Sequence, residues 1–296
     1  MTPSNDASSV SAPVQAQSPY RASGSLKGRT IIMSGGSRGI GLAIATRAAR
    51  DGANIVLMAK TGEPHPKLEG TVFTAADQLL AAGGQALPLV GDVRNDADVA
   101  AAVNAAVERF GGIDVVINNA SAIDLSRTDA VDMKRYDLMQ DINVRGTFLL
   151  SKLALPFLRE SRHGHILTLS PPLNLDPKWA GMHLAYTMAK YGMSLTTLGL
   201  AEELKNDGVQ VNSLWPCTLI DTAAIRNMPG GDRMVQAARG PEIMADAAHA
   251  LLAASGGYGS GNFYTDEEVL RAAGVSDFAA YSLGAPEDRL VPDIFL

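Results

Sequence analysis

The feature that most constrains this chain is a regular alternation of short aliphatic runs with longer segments of helical periodicity. Residues 30–33, 54–58, 86–90, 113–117, 165–169 and 209–215 are β-rich apolar runs of strand length, and a seventh strand is expected at 262–265. Between them, residues 42–51, 97–110, 136–158 and 184–204 repeat apolar side chains at helical spacing. Such a β-α-β-α series predicts a doubly wound parallel sheet of about seven strands with helices on both faces, joined by right-handed crossovers. No linker or internal repeat interrupts it, so one domain over residues 26–296 is expected. Residues 61–71, carrying Gly62, Pro64, Pro66 and Gly70, cannot be regular structure and read as a loop inserted after the second strand.

Composition narrows the function classes. A net charge of -6 argues against a nucleic-acid partner or an anionic membrane surface, both of which call for a basic stripe. No apolar run is long enough to span a membrane. The single cysteine, Cys217, allows no internal disulfide and fits a reducing, cytoplasmic setting. Residues 1–25 are mostly Ser, Ala, Pro and Gln and are expected to be a disordered tail rather than an export signal. The Asn119-Ala120-Ser121 sequon is accordingly expected to be inert. His163 and His165 alternate at a strand start with no further ligand pattern around them, so no metal site is expected.

The first strand runs directly into Ser34-Gly35-Gly36-Ser37-Arg38-Gly39-Ile40-Gly41, where a helix begins. Glycines at 35, 39 and 41 remove side chains where the backbone must turn, approach a pyrophosphate and pack helix on strand. The helix N-terminus then offers free N–H groups to the phosphates. A glycine turn in this position marks a Rossmann-type dinucleotide site, although its G-x-x-x-G-x-G spacing differs from the common fingerprint. An NAD enzyme usually carries an acidic residue at the end of the second strand to hold the ribose hydroxyls. Lys60 stands there instead, and with Arg38 it suits a 2′-phosphate, so NADP(H) is the expected cofactor. Asp92 and Val93 follow the third strand, where the carboxylate can accept from the adenine amino group, although capping the next helix is an alternative in which Asn95 competes. Asn118-Asn119-Ala120 follows the fourth strand, where small residues let the backbone pass close to the cofactor.

The chemistry centres on Tyr186-x-x-x-Lys190. Residues four apart share a helix face, so phenol and ammonium can be neighbours. Bringing a tyrosine from about 10 to around 7 needs roughly 4 kcal/mol of phenolate stabilisation. A nearby ammonium and an oxidised nicotinamide, both positive, can supply it. Ser170 ends the fifth strand, where its hydroxyl can donate to a substrate oxygen. Asn143 lies in a long apolar helix where Asn is disfavoured, which suggests a buried polar role such as holding a water in a proton path; a kink beside Gly146 is the alternative.

With these motifs in order, the chain resembles the short-chain dehydrogenases/reductases over residues 26–265. The resemblance implies Tyr186 as acid/base, Lys190 as its pKa-lowering partner and ribose anchor, Ser170 as substrate-oxygen donor and Asn143 as relay residue. A narrower resemblance runs through Ala59-Lys60-Thr61-Gly62-Glu63-Pro64, Ser170-Pro171-Pro172-Leu173-Asn174-Leu175 and Ala185-Tyr186-Thr187-Met188-Ala189-Lys190-Tyr191-Gly192-Met193. These stretches are similar to the hydroxysteroid dehydrogenase-like protein 2 group, which implies lipid or terpenoid alcohols as substrates. From residues 266–296 neither the sterol-carrier domain of some members nor a peroxisomal terminal tripeptide is expected. Ser34, Ser121 and Cys217 depart from the family's usual Thr, Gly and Gly, and the Ser170 to Tyr186 spacing is longer than usual.

An apolar small-molecule pocket is expected from residues 171–182 and 218–228, drawing on Leu173, Trp179, Met182, Trp215, Ile220, Ile225 and Met228. The same side chains could instead close the core or a subunit interface. The function expected is hydride transfer between NADP(H) and an apolar alcohol or carbonyl carbon. A catalytically silent NADP(H)-binding sensor or scaffold is the rival reading. By family resemblance, the apolar helices at 136–158 and 184–204 would pair with a second subunit, giving a homodimer or homotetramer.

Overall fold

A computed structural model describes residues 18–65, 69–254 and 257–296. The seven strands are β1 (Thr30–Ser34), β2 (Asn54–Ala59), β3 (Gln85–Val90), β4 (Val115–Asn118), β5 (His165–Thr168), β6 (Gln210–Trp215) and β7 (Phe263–Thr265). They form one parallel sheet in the order β3-β2-β1-β4-β5-β6-β7. The order reverses between β1 and β4, and open α/β sheets bind ligands at such a switch point, beyond the carboxyl ends of the strands. The register aligns those ends: Ser34 lies opposite both Met58 and Asn118, and Thr168 lies opposite Asn118 and Ser213.

Both faces of the sheet are covered, because successive strand residues point to opposite sides. Ile31, Met33, Ile55 and Leu57 join one core with α1 (Gly39–Arg50), α2 (Val72–Ala81), α10 (Glu242–Ala253) and α11 (Asp266–Ala272). Ile32, Val56 and Met58 join the other, with α3 (Asp96–Phe110), α5 (Gly146–Glu160) and α7 (Leu184–Glu203). Shorter helices α4 (Met133–Met139), α6 (Pro177–Met182), α8 (Ala223–Arg226) and α9 (Gly231–Gln236) lie near the strand ends. The doubly wound fold is therefore the one expected, and each strand falls within two residues of its expected bounds.

Local chemistry sets the helix starts. Thr71 caps α2 in a reciprocal box with Thr74, which ends the inserted loop, whose residues 66–68 lie outside the described residues. Asn95, not Asp92, caps α3, accepting from Ala97 N at 2.9 Å and Asp98 N at 3.3 Å. The long helix expected at 136–158 is three contiguous pieces, with a π-helical turn over Gln140–Arg145 between α4 and α5.

The expected tail needs correction. Residues 1–17 lie outside the described residues, but the chain packs from Ser18 onward. Tyr20 is buried and its hydroxyl lies 3.0 Å from His249 Nδ1, while His249 Nε2 lies 2.7 Å from Asp51. This network assigns the Nε2–H to Asp51 and leaves Nδ1 to accept from Tyr20. Asp51 also accepts from Leu26 N at 2.8 Å and Arg47 at 2.9 Å. One aromatic ring with a buried partner anchors a segment whose composition alone could not order it.

Burial pushes Asp51 up, but the bonds from His249, Leu26 and Arg47 outweigh it and hold the carboxyl at about 2. Burial lowers His249, with Asp51 opposing. A lowered histidine refuses a proton that the unfolded chain accepts, so stability is present above about 6.5 and declines as pH falls below it. Urea unfolding at pH 7, 6 and 5 is expected to show this loss. His249→Gln, which does not titrate, is expected to flatten it by at most about 1.4 kcal/mol per pH unit.

Candidate active site

β1 delivers the chain to a turn in which Gly35, Gly36 and Gly39 have φ of 79°, 87° and 57°, a region that side chains disfavour. Arg38 occupies the N-cap of α1 without a side-chain cap, so the first N–H groups of the helix are left for an anion. A Cβ on either Gly35 or Gly41 would come within 2.6 Å of Asn119 Nδ2. The Asn119 amide thus fills the space the two glycines leave, donating to Ser34 O at 3.1 Å. The Ser34 hydroxyl accepts from Asn119 N at 3.3 Å and Ala120 N at 3.2 Å. Ser37 is buried, and Ile40 packs against the core beneath the turn. A glycine cradle, an uncapped helix end and a backbone passing close by fit the pyrophosphate and nicotinamide of a dinucleotide.

The outer end of this cradle is cationic. Lys60 Nζ lies 3.2 Å from Asp92, and its side chain is 57% exposed. Asp92 is also gripped by Arg94, whose Nε lies 3.1 and 3.0 Å from the two carboxylate oxygens. Arg94 first, then Lys60, holds the Asp92 carboxyl well below the usual range, although burial opposes them. The carboxylate expected to meet adenine is therefore already paired, and Arg94 was not anticipated. Arg38 donates to Glu69 O at 3.0 Å and Gly70 O at 2.7 Å, which ties the inserted loop to the glycine turn. Val93 packs where a Cβ on Gly146 would come within 2.8 Å of it.

Asn143 sits in the π-helical turn, fully buried, and both ends of its amide go to one residue. It accepts from Ala122 N at 2.7 Å and donates to Ala122 O at 3.1 Å. These bonds hold the loop after β4. Ser170 is fully buried with its hydroxyl 2.8 Å from Ser213, which in turn donates to Thr197 at 2.8 Å. Ser170 is then left to donate to Ser213, so its hydrogen is spent inside the protein.

Tyr186 and Lys190 share α7 and are both buried. Lys190 Nζ donates to Leu169 O at 2.7 Å and lies 4.9 Å above the Trp215 ring. Burial lowers Lys190 to about 7, with Asp293 opposing. Burial and then Asp293 push the Tyr186 phenol up. Burial and the Asp293 carboxyl thus both disfavour the phenolate of Tyr186. Asp293 reaches this site because Leu219 N donates to Val291 O at 2.9 Å and Asp293 N to Cys217 O at 3.0 Å. Asp293 is the lone charged residue in the apolar stretch Leu290-Val291-Pro292-Asp293-Ile294-Phe295-Leu296, which marks it in the sequence without locating it in the fold. Burial and then Asp266 push the Cys217 thiol up to about 12, so it is no thiolate nucleophile at neutral pH.

Of the expected pocket residues, Trp179, Trp215 and Ile220 are buried, whereas Met182 is 54% exposed. Tyr191 donates to Asn174 O at 2.5 Å, anchoring the loop after β5. His165 is buried in the sheet, with Nε2 3.3 Å from Asn212 Nδ2. Among the described residues no group of three metal-ligating side chains occurs, and no helix is long and apolar enough to cross a membrane.

Residues 29–229 match the short chain dehydrogenase family, and the chain belongs to it. The family uses a nicotinamide cofactor, and its members are oxidoreductases. Hydroxysteroid dehydrogenase-like protein 2 of Xenopus laevis is 53% identical over 273 residues, which are 92% of this chain and 64% of that protein. The chain thus spans somewhat under two thirds of the length of this curated relative. A Xanthomonas campestris protein of solved structure superposes with a TM-score of 0.87 at 52% identity, covering 92% of this chain and 99% of that one. A short chain dehydrogenase from Mycobacterium thermoresistibile gives 0.86 at 51% identity, covering 92% and 96%.

The Asn119 wedge makes a separable prediction. Gly41→Ala is expected to cost about 1–3 kcal/mol by overpacking. In an Asn119→Ala background, where the obstructing amide is gone, the same change is expected to cost less than about 0.5 kcal/mol in urea unfolding.

Proposed function

We propose that the chain is an NADP(H)-dependent alcohol dehydrogenase or carbonyl reductase acting on an apolar substrate of the lipid or terpenoid kind. The observation that carries the cofactor choice is Lys60, which directly follows β2 where a ribose-binding carboxylate would otherwise stand. Asp92 faces two cations, Lys60 and Arg94, so the end of the sheet keeps a net positive charge for a 2′-phosphate. Lys60 also lines a surface cavity of about 620 Å³ with Thr61, Phe73 and Val90. The apolar substrate is supported by Trp179 and Trp215, buried beside Tyr186, and by the name of the Xenopus laevis relative.

The bound nicotinamide would carry the hydride. Tyr186 then gives its proton to the substrate oxygen in reduction and takes one in oxidation. Lys190, held at the end of β5 by Leu169 O, is poised to bind ribose hydroxyls and to add positive charge beside the phenol. Ser170 joins by exchanging its bond to Ser213 for one to the substrate oxygen. Asn143 keeps the loop carrying Asn119 and Ala120 in position through Ala122.

A subunit partner is supported by Phe148 on α5 and by Met188, Leu195 and Leu198 on α7, which are 54%, 48%, 57% and 47% exposed. Light scattering is expected to give a dimer or tetramer.

NADPH is expected to bind about tenfold or more tightly than NADH, a gap of at least roughly 1.4 kcal/mol, and Lys60→Asp is expected to close it. Fluorescence titration reads both; equal binding in the unaltered protein overturns the NADP(H) preference. Tyr186→Phe is expected to lower turnover by about 10²–10⁴ while leaving the NADPH dissociation constant within about twofold. Tight NADPH binding with no turnover of any alcohol or aldehyde would instead support a silent sensor or scaffold.

A further inference from the structure

The segment that brings Asp293 to the site ends in a ring that touches the proposed proton donor. Phe295 is fully buried, and its ring lies 6.2 Å from that of Tyr186 at an interplanar angle of 26°. Four further rings complete a cage around it: Tyr191 at 5.3 Å, His183 at 5.6 Å, Trp179 at 5.9 Å and Trp215 at 6.1 Å. The backbone is held on both sides, by Trp215 Nε1 donating to Ile294 O at 3.0 Å and by Asn174 Nδ2 donating to Phe295 O at 3.4 Å.

Two observations separate this cage from ordinary core. Phe295 has φ of 78°, the only positive φ at a non-glycine residue among those described. Strain of this kind persists where surrounding contacts over-determine the conformation, and it clusters at functional sites. In addition, Trp179 Nε1 and His183 Nε2 are buried without a hydrogen-bond partner. His183 Nδ1 lies 3.1 Å from Thr187 Oγ1, which is also within hydrogen-bond distance of Trp179 O and His183 O, so the Nδ1 side of the ring has a partner and the Nε2 side has none. Two of the rings that touch Phe295 thus carry buried polar nitrogens without a partner, which ordinary core packing avoids.

We propose that Phe295 is a specificity-determining residue: its ring is the wall that sets how wide a substrate can lie beside Tyr186. This deepens the preceding functional reading and rests on Tyr186 as the proton-transfer group. The ring is supplied by a segment that reaches the site through Cys217 and Trp215, so substrate width is set outside the sheet and its crossover helices. A narrow, flexible alkyl alcohol passes this wall, whereas a saturated ring at the same distance from the hydroxyl meets it.

The test uses the full chain and two variants. Phe295→Gly removes the ring at a φ that glycine adopts freely, and Phe295→Leu keeps apolar volume without a ring. With NADP, 1-decanol and cyclohexylmethanol are the straight and ring-bearing probes. The cyclohexylmethanol to 1-decanol ratio of kcat/KM is expected to rise about tenfold in Phe295→Gly and less in Phe295→Leu. The dissociation constant for NADPH should stay within about twofold. A ratio unchanged in both variants overturns the proposal. The chain has two tryptophans, Trp179 and Trp215, and both face Phe295, so tryptophan fluorescence reads cyclohexylmethanol binding without turnover. Phe295→Gly is expected to bind it about tenfold more tightly than the unaltered protein, and equal affinity overturns the wall. An unaltered protein that neither binds NADPH nor turns over either alcohol would sink the functional reading, while the fluorescence titration still decides the role of Phe295.

Discussion

The site depends on one steric arrangement at the switch point of the sheet. Parallel pairing puts Ser34 beside Asn118, and the chain must leave both strand ends in different directions. Gly35 and Gly41 leave room between these exits for a single side chain, Asn119, whose amide and backbone bond Ser34. The rest of the site is referenced to that contact. Asn143 holds Ala122, three residues further on, and one strand over, Lys190 reaches the carbonyl of Leu169. Consecutive strand ends thus carry the cradle, the loop clamp and the ammonium in spatial order. Any Cβ at the two glycines shifts the reference point for all three.

The two ends of the site differ in their dielectric surroundings, and their charges behave accordingly. At the outer end, Lys60, Arg94 and Asp92 meet near solvent, where their charges are retained and screened. At the inner end, burial dominates. It lowers Lys190 to about 7 and raises Asp293 to about 7, with Asp266 close behind at about 6. In each of these three groups burial disfavours the charged form, as it also does in the Tyr186 phenol and the Cys217 thiol. A positive ring entering beside Tyr186 would have a large effect there, because few fixed charges compete with it.

Much of this was readable from the chain. The strands were legible because a sheet covered on both faces favours consecutive apolar residues, as in Ile31, Ile32 and Met33 of β1, where all five residues are buried. The glycine turn was legible because positive φ and close approach both demand glycine. Asn95 rather than Asp92 as the cap of α3 was named only as a competitor, since both residues can accept from a helix N-terminus. The packing of Tyr20 was not legible, because its partners His249 and Asp51 lie far off in sequence. Nor was the direction of the Ser170 hydroxyl, which depends on the neighbouring strand presenting Ser213.

By itself the sequence determined the class of fold, the switch-point glycines and the residues available for proton transfer, because periodicity and backbone sterics act over a few residues at a time. The tertiary structure decided which of those groups are free to act. Arg94 takes up Asp92, Ser213 takes up Ser170, and Ala122 takes up Asn143. It also decided that a segment near residue 295 closes over Tyr186, which no local pattern encodes. Partners brought together from distant parts of the chain set burial, and burial sets both hydrogen-bond competition and charge.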